Sequence, residues 1–268
     1  MFRLGGTGRR PYGGPVSLGA HLGRLAALVV VCFIALQFYF VGRIALMSVV
    51  DPASTTFQRS EMWRLLSAHG RVVWAQQWVD DARLGAALKR AVIASEDSGF
   101  ADHGGIDWDA MERAWERNQR AQEIAERRNE RAARRTPDKP LVPVTAKVVG
   151  GSTITQQLAK NLFLSGERTP LRKAQELVLT YALETCLSKR RILEIYLNHV
   201  EWGEGLFGAQ AAARYYFRSD ADKLGSAAAA RLAVMLPAPK RFEKRLGSPY
   251  LADRAATVAA RMVAVELP

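Results

Sequence analysis

The apolar positions of this chain follow two rhythms with an abrupt change between them. From Leu25 to Gly42 the run LAALVVVCFIALQFYFVG carries no charge, and after the single Arg43 it resumes from Ile44 to Val50. About 20 such residues suffice to cross a bilayer as a helix, whereas the apolar part of a cleaved signal peptide spans only about 7–15. Residues 25–50 are therefore read as a transmembrane anchor. Residues 1–24 are rich in Gly and carry Arg3, Arg9, Arg10 and Arg24 without an acid, the composition of an unfolded cytoplasmic tail. The excess of arginine before the span places the remainder, 51–268, on the far side of the membrane. Arg43, near the far end, is long enough to snorkel to the interface.

Beyond the anchor the rhythm becomes helical. Trp108, Met111 and Trp115 keep helix spacing, and from Thr153 onward one helical pattern follows another: TITQQLAKNLFL, LRKAQELVLTYALETCLSKRRILEIYLNHV, AQAAARYYF and SAAAARLAVML. Pro170 stands where a helix would start, and Gly203, Gly205 and Gly208 separate the last segments. Alternating Val, Ile and Thr runs are missing and no repeat period is visible, so the fold class expected is all-α. Between Arg120 and Lys147 glutamates alternate with arginines before Pro137, Pro140 and Pro143. That stretch, 120–147, reads as a flexible charged excursion, a solvated helix in its first half and a Pro-punctuated loop in its second. Trp63, Trp74 and Trp78 suit either the lipid headgroup zone or the core, and the core is the commoner place for any one of them.

Charge narrows the class of partner. Thirty-eight Lys and Arg face 26 Asp and Glu, a formal +12, which points to an anionic partner: nucleic acid, an acidic membrane face or a phosphorylated substrate. Nucleic acid is the weakest of these, because no aromatic residue interleaves the arginines of 120–147 as a single-strand platform requires. Cys32 lies in the apolar run and Cys186 in a helix, so no disulfide framework is expected, and no zinc-type Cys/His spacing occurs.

In so basic a chain the placement of acids is informative. Glu96 and Asp97 follow the apolar Val92, Ile93 and Ala94 and precede Phe100, surroundings that desolvate a carboxyl and raise its pKa as a general base requires. His103 and Gly104-Gly105 end that segment. A second stretch, Gly150-Gly151-Ser152-Thr153-Ile154-Thr155-Gln156-Gln157 with Lys160 and Asn161, joins a free backbone to a capped helix start that can face an anion. It lacks the Gly-x-x-x-x-Gly-Lys spacing of a nucleotide-binding loop. A third, Arg172-Lys173-x-x-Glu176, sets two cations and a carboxylate on one helical face, either as surface ion pairs or as a grip on a polyphosphate. Lys189-x-x-Ile192-Leu193-Glu194-x-Tyr196-Leu197-Asn198 reads as an amphipathic core helix with Glu194 and Asn198 in structural bonds, and His69 and His199 read as surface histidines.

Taken together and in order, Glu96-Asp97-x-x-Phe100-x-x-His103-x-Gly105, the Gly150 to Asn161 stretch, Arg172-Lys173-x-x-Glu176 and Lys189 to Asn198 resemble the motifs of the peptidoglycan glycosyltransferases. The resemblance covers roughly residues 92–239 and looks closest to the monofunctional biosynthetic transglycosylases. It implies a lysozyme-like helical domain, tethered to the bacterial cytoplasmic membrane by one N-terminal transmembrane helix and facing outward, that polymerises lipid II. No Ser-x-x-Lys occurs, so the serine chemistry of a transpeptidase is not expected. By the same resemblance Glu96 is the catalytic base and Glu176 a second essential acid. Lys160, Arg172 and Lys173 bind pyrophosphate, Ser152, Thr153, Gln156, Gln157 and Asn161 line the cleft, and Asp97, Phe100 and His103 complete the substrate-binding set. No cofactor is required on this reading, with a divalent cation, Mg or Mn, as a candidate helper at the pyrophosphate. Expected partners are lipid II, the growing glycan chain and membrane lipid, with cell-division or elongation proteins as candidates and no nucleic acid. Two rivals are weighed: a lytic transglycosylase or muramidase, which has no use for the cation cluster, and a basic membrane-anchored scaffold, which has no use for Glu96.

Overall fold

A computed structural model describes residues 17–135, 142–146, 150–167 and 169–268. The chain divides into two units, residues 1–43 and 44–268. In the first, α1 (Leu18–Leu46) is long and apolar enough to cross a membrane, and its large apolar side chains are exposed from Leu18 to Val41. The helix begins before the expected anchor, taking in residues 18–24 of the stretch read as an unfolded tail. Extending an existing helix fixes one residue per hydrogen bond, whereas starting one fixes several, so a stable apolar helix recruits its polar flank. Residues 1–16 lie outside the described part.

The second unit is helical, as expected: α2 (Thr56–His69), α3 (Ala86–Glu96), α4 (Trp108–Arg135), α5 (Ile154–Phe163), α6 (Pro170–Cys186), α7 (Lys189–His199), α8 (Ala209–Phe217), α9 (Ser226–Ala233), α10 (Pro239–Phe242) and α11 (Pro249–Arg261). Side chains at the helix starts fix four of these beginnings. Thr55 caps α2 and Thr153 caps α5, each in a reciprocal box with the Gln three residues on, while Thr169 and Ser188 cap α6 and α7. α3 is the central element: Leu88, Ala91, Val92 and Ile93 are buried, and it packs on α9 and α11, while α5 packs on α2, α6 and α7. The basic tail beyond Pro239, which had no role in the sequence reading, thus supplies α11 as part of the support behind Glu96.

Three short strands accompany the helices. β1 (Ala75–Gln76) runs parallel to β3 (Leu206–Phe207), and β2 (Glu201–Gly203) pairs antiparallel to β3 with a bulge. Strands this short display no alternation for a periodicity argument to find. Gly205, at φ +70°, lets the strands close: a Cβ there would lie 2.0 Å from the Val73 carbonyl oxygen. Of the tryptophans, Trp74 stacks on Phe207 with ring centres 4.4 Å apart and Trp78 packs beside His199, whereas Trp63 is 71% exposed.

Residues 120–135 form the helix expected of the first half of the charged stretch. They continue α4 to Arg135, as the alternation of Glu and Arg allows, and Ala121 and Ala125 turn toward protein. The chain then returns along the helix, where Asn129 donates to the Val144 carbonyl at 3.0 Å and accepts from its amide at 2.8 Å. Pro137 and Pro140 fall outside the described residues.

Candidate active site

Glu96 is the last residue of α3 and is half-buried over the apolar stretch that precedes it. Its Oε2 accepts from Gln157 Nε2 at 3.1 Å and its Oε1 from Ser95 Oγ at 3.4 Å. Burial raises its pKa above the usual carboxylate value; the bonds from Gln157 and Ser95 pull it down, the Asp97 charge adds to the rise and Arg254 on α11 opposes it. The result is a carboxylate with enhanced basicity beside a pocket of about 180 Å³ lined also by Ser152, Arg117 and Arg261. Neither Arg254 nor Arg261 carries any local sequence signal.

Asp97, also at the wall of that pocket, is tied to other parts of the chain. One oxygen accepts from His103 Nε2 at 2.8 Å and the other from the Ile154 amide at 2.9 Å, the first free N–H of α5. Because the Gly105 amide donates to His103 Nδ1 at 3.1 Å, the ring proton sits on Nε2 and is given to Asp97. Thr153 Oγ1 donates to the Gly105 carbonyl at 2.6 Å, completing the lock between the first two motifs. Gly105 has φ +89°, and a Cβ there would meet Thr180 at 2.7 Å. Three residues expected to bind substrate are thus held in structural contacts, with Asp97 also at the wall of the small pocket beside Glu96. Phe100 has no exposed surface, Asp97 has both oxygens engaged and His103 both ring nitrogens. Thr153 and Gln156 are buried in the capping box of α5, and Thr153 also reaches the wall of the small pocket.

On the other side of Gln157 opens a cleft of about 580 Å³. Ser152, Gln156, Gln157, Lys160, Asn161, Arg172, Lys173 and Glu176 line it. Thr56, Phe57 and Ser60 of α2 also line it, and so do Glu201 and Pro239, which sequence reasoning missed. Glu176 is 3% exposed and accepts from Arg172 Nη1 at 2.7 Å and from Lys173 Nζ, so the spacing of the third motif sets two cations around one carboxylate at the wall and leaves a net positive charge there. Arg172 Nε is buried without a hydrogen-bond partner. Lys160 opens to the cleft but is flanked by protein on most sides. That desolvation lowers its pKa, Glu176 opposes the shift, and Arg172 and Lys173 reinforce it. Gln157 joins the two spaces: Tyr196 Oη donates to its Oε1 at 3.0 Å while its amide holds Glu96, and Lys160 lies one turn further along the same face of α5. Arg172, Lys173 and Lys160 can thus neutralise a leaving group while Glu96 accepts a proton nearby.

The fourth motif is structural, as read. Asn198 Oδ1 accepts from the Val79 amide at 2.9 Å and Glu194 Oε1 from the Asp81 amide at 2.8 Å. His199, expected at the surface, is 1% exposed, and burial pushes its pKa down to about 4. A divalent cation finds little to hold it: of the cleft carboxylates Glu176 and Glu201 are paired with cations, leaving Glu167 exposed. The close trio Asp97, His103 and Asp107 is committed to hydrogen bonds, Asp107 capping the Ala110 amide at 2.7 Å.

Fold and site define a helical enzyme of glycosyl transfer, with one basic carboxylate and fixed cations where a hydrolase has a second working carboxyl. The family described as Transglycosylase matches residues 66–126 and 141–263. A biosynthetic peptidoglycan transglycosylase of Paraburkholderia phytofirmans is 46% identical over 256 residues, 95% of each chain. One of Burkholderia thailandensis is 49% identical over 236 residues, 88% of this chain and 83% of the relative. The chain belongs to the transglycosylase family, as the order of its four motifs implied.

Proposed function

We propose that this chain is a membrane-anchored peptidoglycan glycosyltransferase that polymerises lipid II into β-1,4-linked glycan strands in bacterial cell wall synthesis. The observation that carries the reading is the bridge through Gln157 between the desolvated Glu96 and the wall bearing Lys160, Arg172 and Lys173. Glu96 takes the proton of the acceptor N-acetylglucosamine 4-hydroxyl. That oxygen forms a bond to C1 of the N-acetylmuramic acid at the end of the growing strand, and the C1–O bond to the polyprenyl pyrophosphate breaks from the opposite face. Inversion follows, and the electron pair leaves with the pyrophosphate. The leaving group is already anionic, so fixed cations stabilise it where an ordinary glycoside would need an acid. Arg172 and Lys173, oriented by Glu176, and Lys160 from the facing helix provide that charge; no step needs a metal. Arg172 Nε, buried and unpartnered, is a donor the pyrophosphate would satisfy.

The apolar α1 preceded by arginines supports an anchor in the cytoplasmic membrane with the catalytic unit on the outer, periplasmic face. The test gives the full-length protein labelled lipid II in detergent and follows polymer on gels, alongside Glu96→Gln and Lys160→Ala. Loss of polymer by at least about 10²-fold in Glu96→Gln is expected for removal of a general base. Robust polymer from that variant would refute the role of Glu96, and cleavage of preformed strands by the wild type would favour a lytic enzyme.

A further inference from the structure

α4 carries its charges in stripes. Arg113, Arg117, Arg120, Arg127, Arg131 and Arg135, with Ile124, recur at steps of three and four, and Arg128 and Arg134 flank the same line. All eight arginines are exposed, and among the described residues only Arg120 is ion-paired, with Glu116 at 3.2 Å. The glutamates fall on the next face, at Glu112, Glu116, Glu123, Glu126 and Glu130, and exposed Trp108 and Trp115 lie beyond them. On the other flank of the arginines, the Ala114, Ala121 and Ala125 face turns inward, and Asn129 fastens the returning segment at Val144. The stripe is thus open for about 33 Å, free of acids, and built from a side chain whose fork matches carboxylates. Glu116, Glu123 and Glu130 stand four residues before Arg120, Arg127 and Arg134, yet of these pairs only Glu116–Arg120 closes among the described residues.

The stripe starts at the active site: Arg117 lines the same small pocket as Glu96 and Ser152. We propose that the arginine face of α4 is a docking track for the growing glycan strand, gripping the carboxylates of the peptides that the strand carries. This rests on the polymerase reading. With the pyrophosphate end of the strand on Lys160, Arg172 and Lys173, the sugars pass Glu96 and leave by the small pocket, where Arg117 receives them. A membrane surface is the poorer occupant, because the exposed Glu112, Glu116, Glu123, Glu126 and Glu130 on the adjoining face would be brought up against the same anionic headgroups.

The experiment reads binding without turnover. Full-length Glu96→Gln protein, with and without Arg127→Gln, Arg128→Gln and Arg131→Gln together, is titrated in detergent against labelled soluble glycan strands with peptides intact or enzymatically removed. Exposed charge pairs are individually weak, so the triple change is expected to weaken binding of peptide-bearing strands about tenfold and to flatten its salt dependence, while affinity for peptide-free strands is unaltered. Equal affinity of the two proteins for peptide-bearing strands would overturn the proposal, as would equal weakening for both kinds of strand. A difference seen only with vesicles of anionic phospholipid would assign the stripe to the membrane instead. Absence of polymer from lipid II with the wild-type protein would sink the polymerase reading separately, since strand binding is measured here without catalysis.

Discussion

Replacing Asp97 by Asn tests whether the first motif is held by charge or by shape. The Asp97 side chain is 2% exposed and receives two donors, the Ile154 amide at 2.9 Å and His103 Nε2 at 2.8 Å. Asparagine is the same size but offers one oxygen and one NH2, so one donor must face another. His103 cannot escape by moving its proton to Nδ1, because the Gly105 amide already points there. An unsatisfied buried donor costs about 1–3 kcal/mol, and loss of a negative charge at the start of α5 adds about 0.3–1 kcal/mol. A total near 3 kcal/mol lowers the melting midpoint of a domain of this size by roughly 6–12 °C. Thermal unfolding of the full-length protein in detergent, followed by circular dichroism, measures it. Activity is expected to fall as well, because the bond from Asp97 fixes the helix that carries Gln157 and Lys160. A midpoint within about 2 °C of wild type would refute the claim that both carboxylate oxygens are required.

Two further outcomes follow from the same geometry. Gln157→Ala removes the larger of the two hydrogen bonds that hold the Glu96 pKa down, so the acid limb of the kcat/KM profile is expected to move to higher pH; a limb that stays put would show that Gln157 does not act through Glu96. Glu201, beside Lys240 at 3.2 Å, has its pKa pushed up to about 7 chiefly by burial, so the fold holds that proton more tightly than the unfolded chain does. Stability is then lost as pH rises from about 4.5 to about 7, and Glu201→Gln should melt progressively higher relative to wild type across that window; a pH-independent difference in midpoint would count against it.

Local pattern carried a great deal of this protein. The uninterrupted apolar run defines α1, the Thr and Ser caps with Pro170 place the starts of α2, α5, α6 and α7, and the i, i+4 spacing of Arg172 and Glu176 builds their ion pair without help from the rest of the fold. Such features depend on neighbours within about one helical turn, so a linear reading captures them. Glu96 was also legible, because the residues just before it are those that desolvate it.

What escaped were the decisions made across long separations. Asp97, Phe100 and His103 share a motif with Glu96, yet their side chains are engaged in the joint with α5 or buried, with only Asp97 also at the wall of the small pocket. The buried place of His199, the three short strands and the Gln157 bridge from Tyr196 to Glu96 all require residues far apart in sequence to meet. The direction a side chain faces at the end of a helix is set by what packs against that helix. Here α9, α11 and the start of α5 pack around α3 while Glu96 keeps a side open to the small pocket, a choice no stretch of the chain encodes alone.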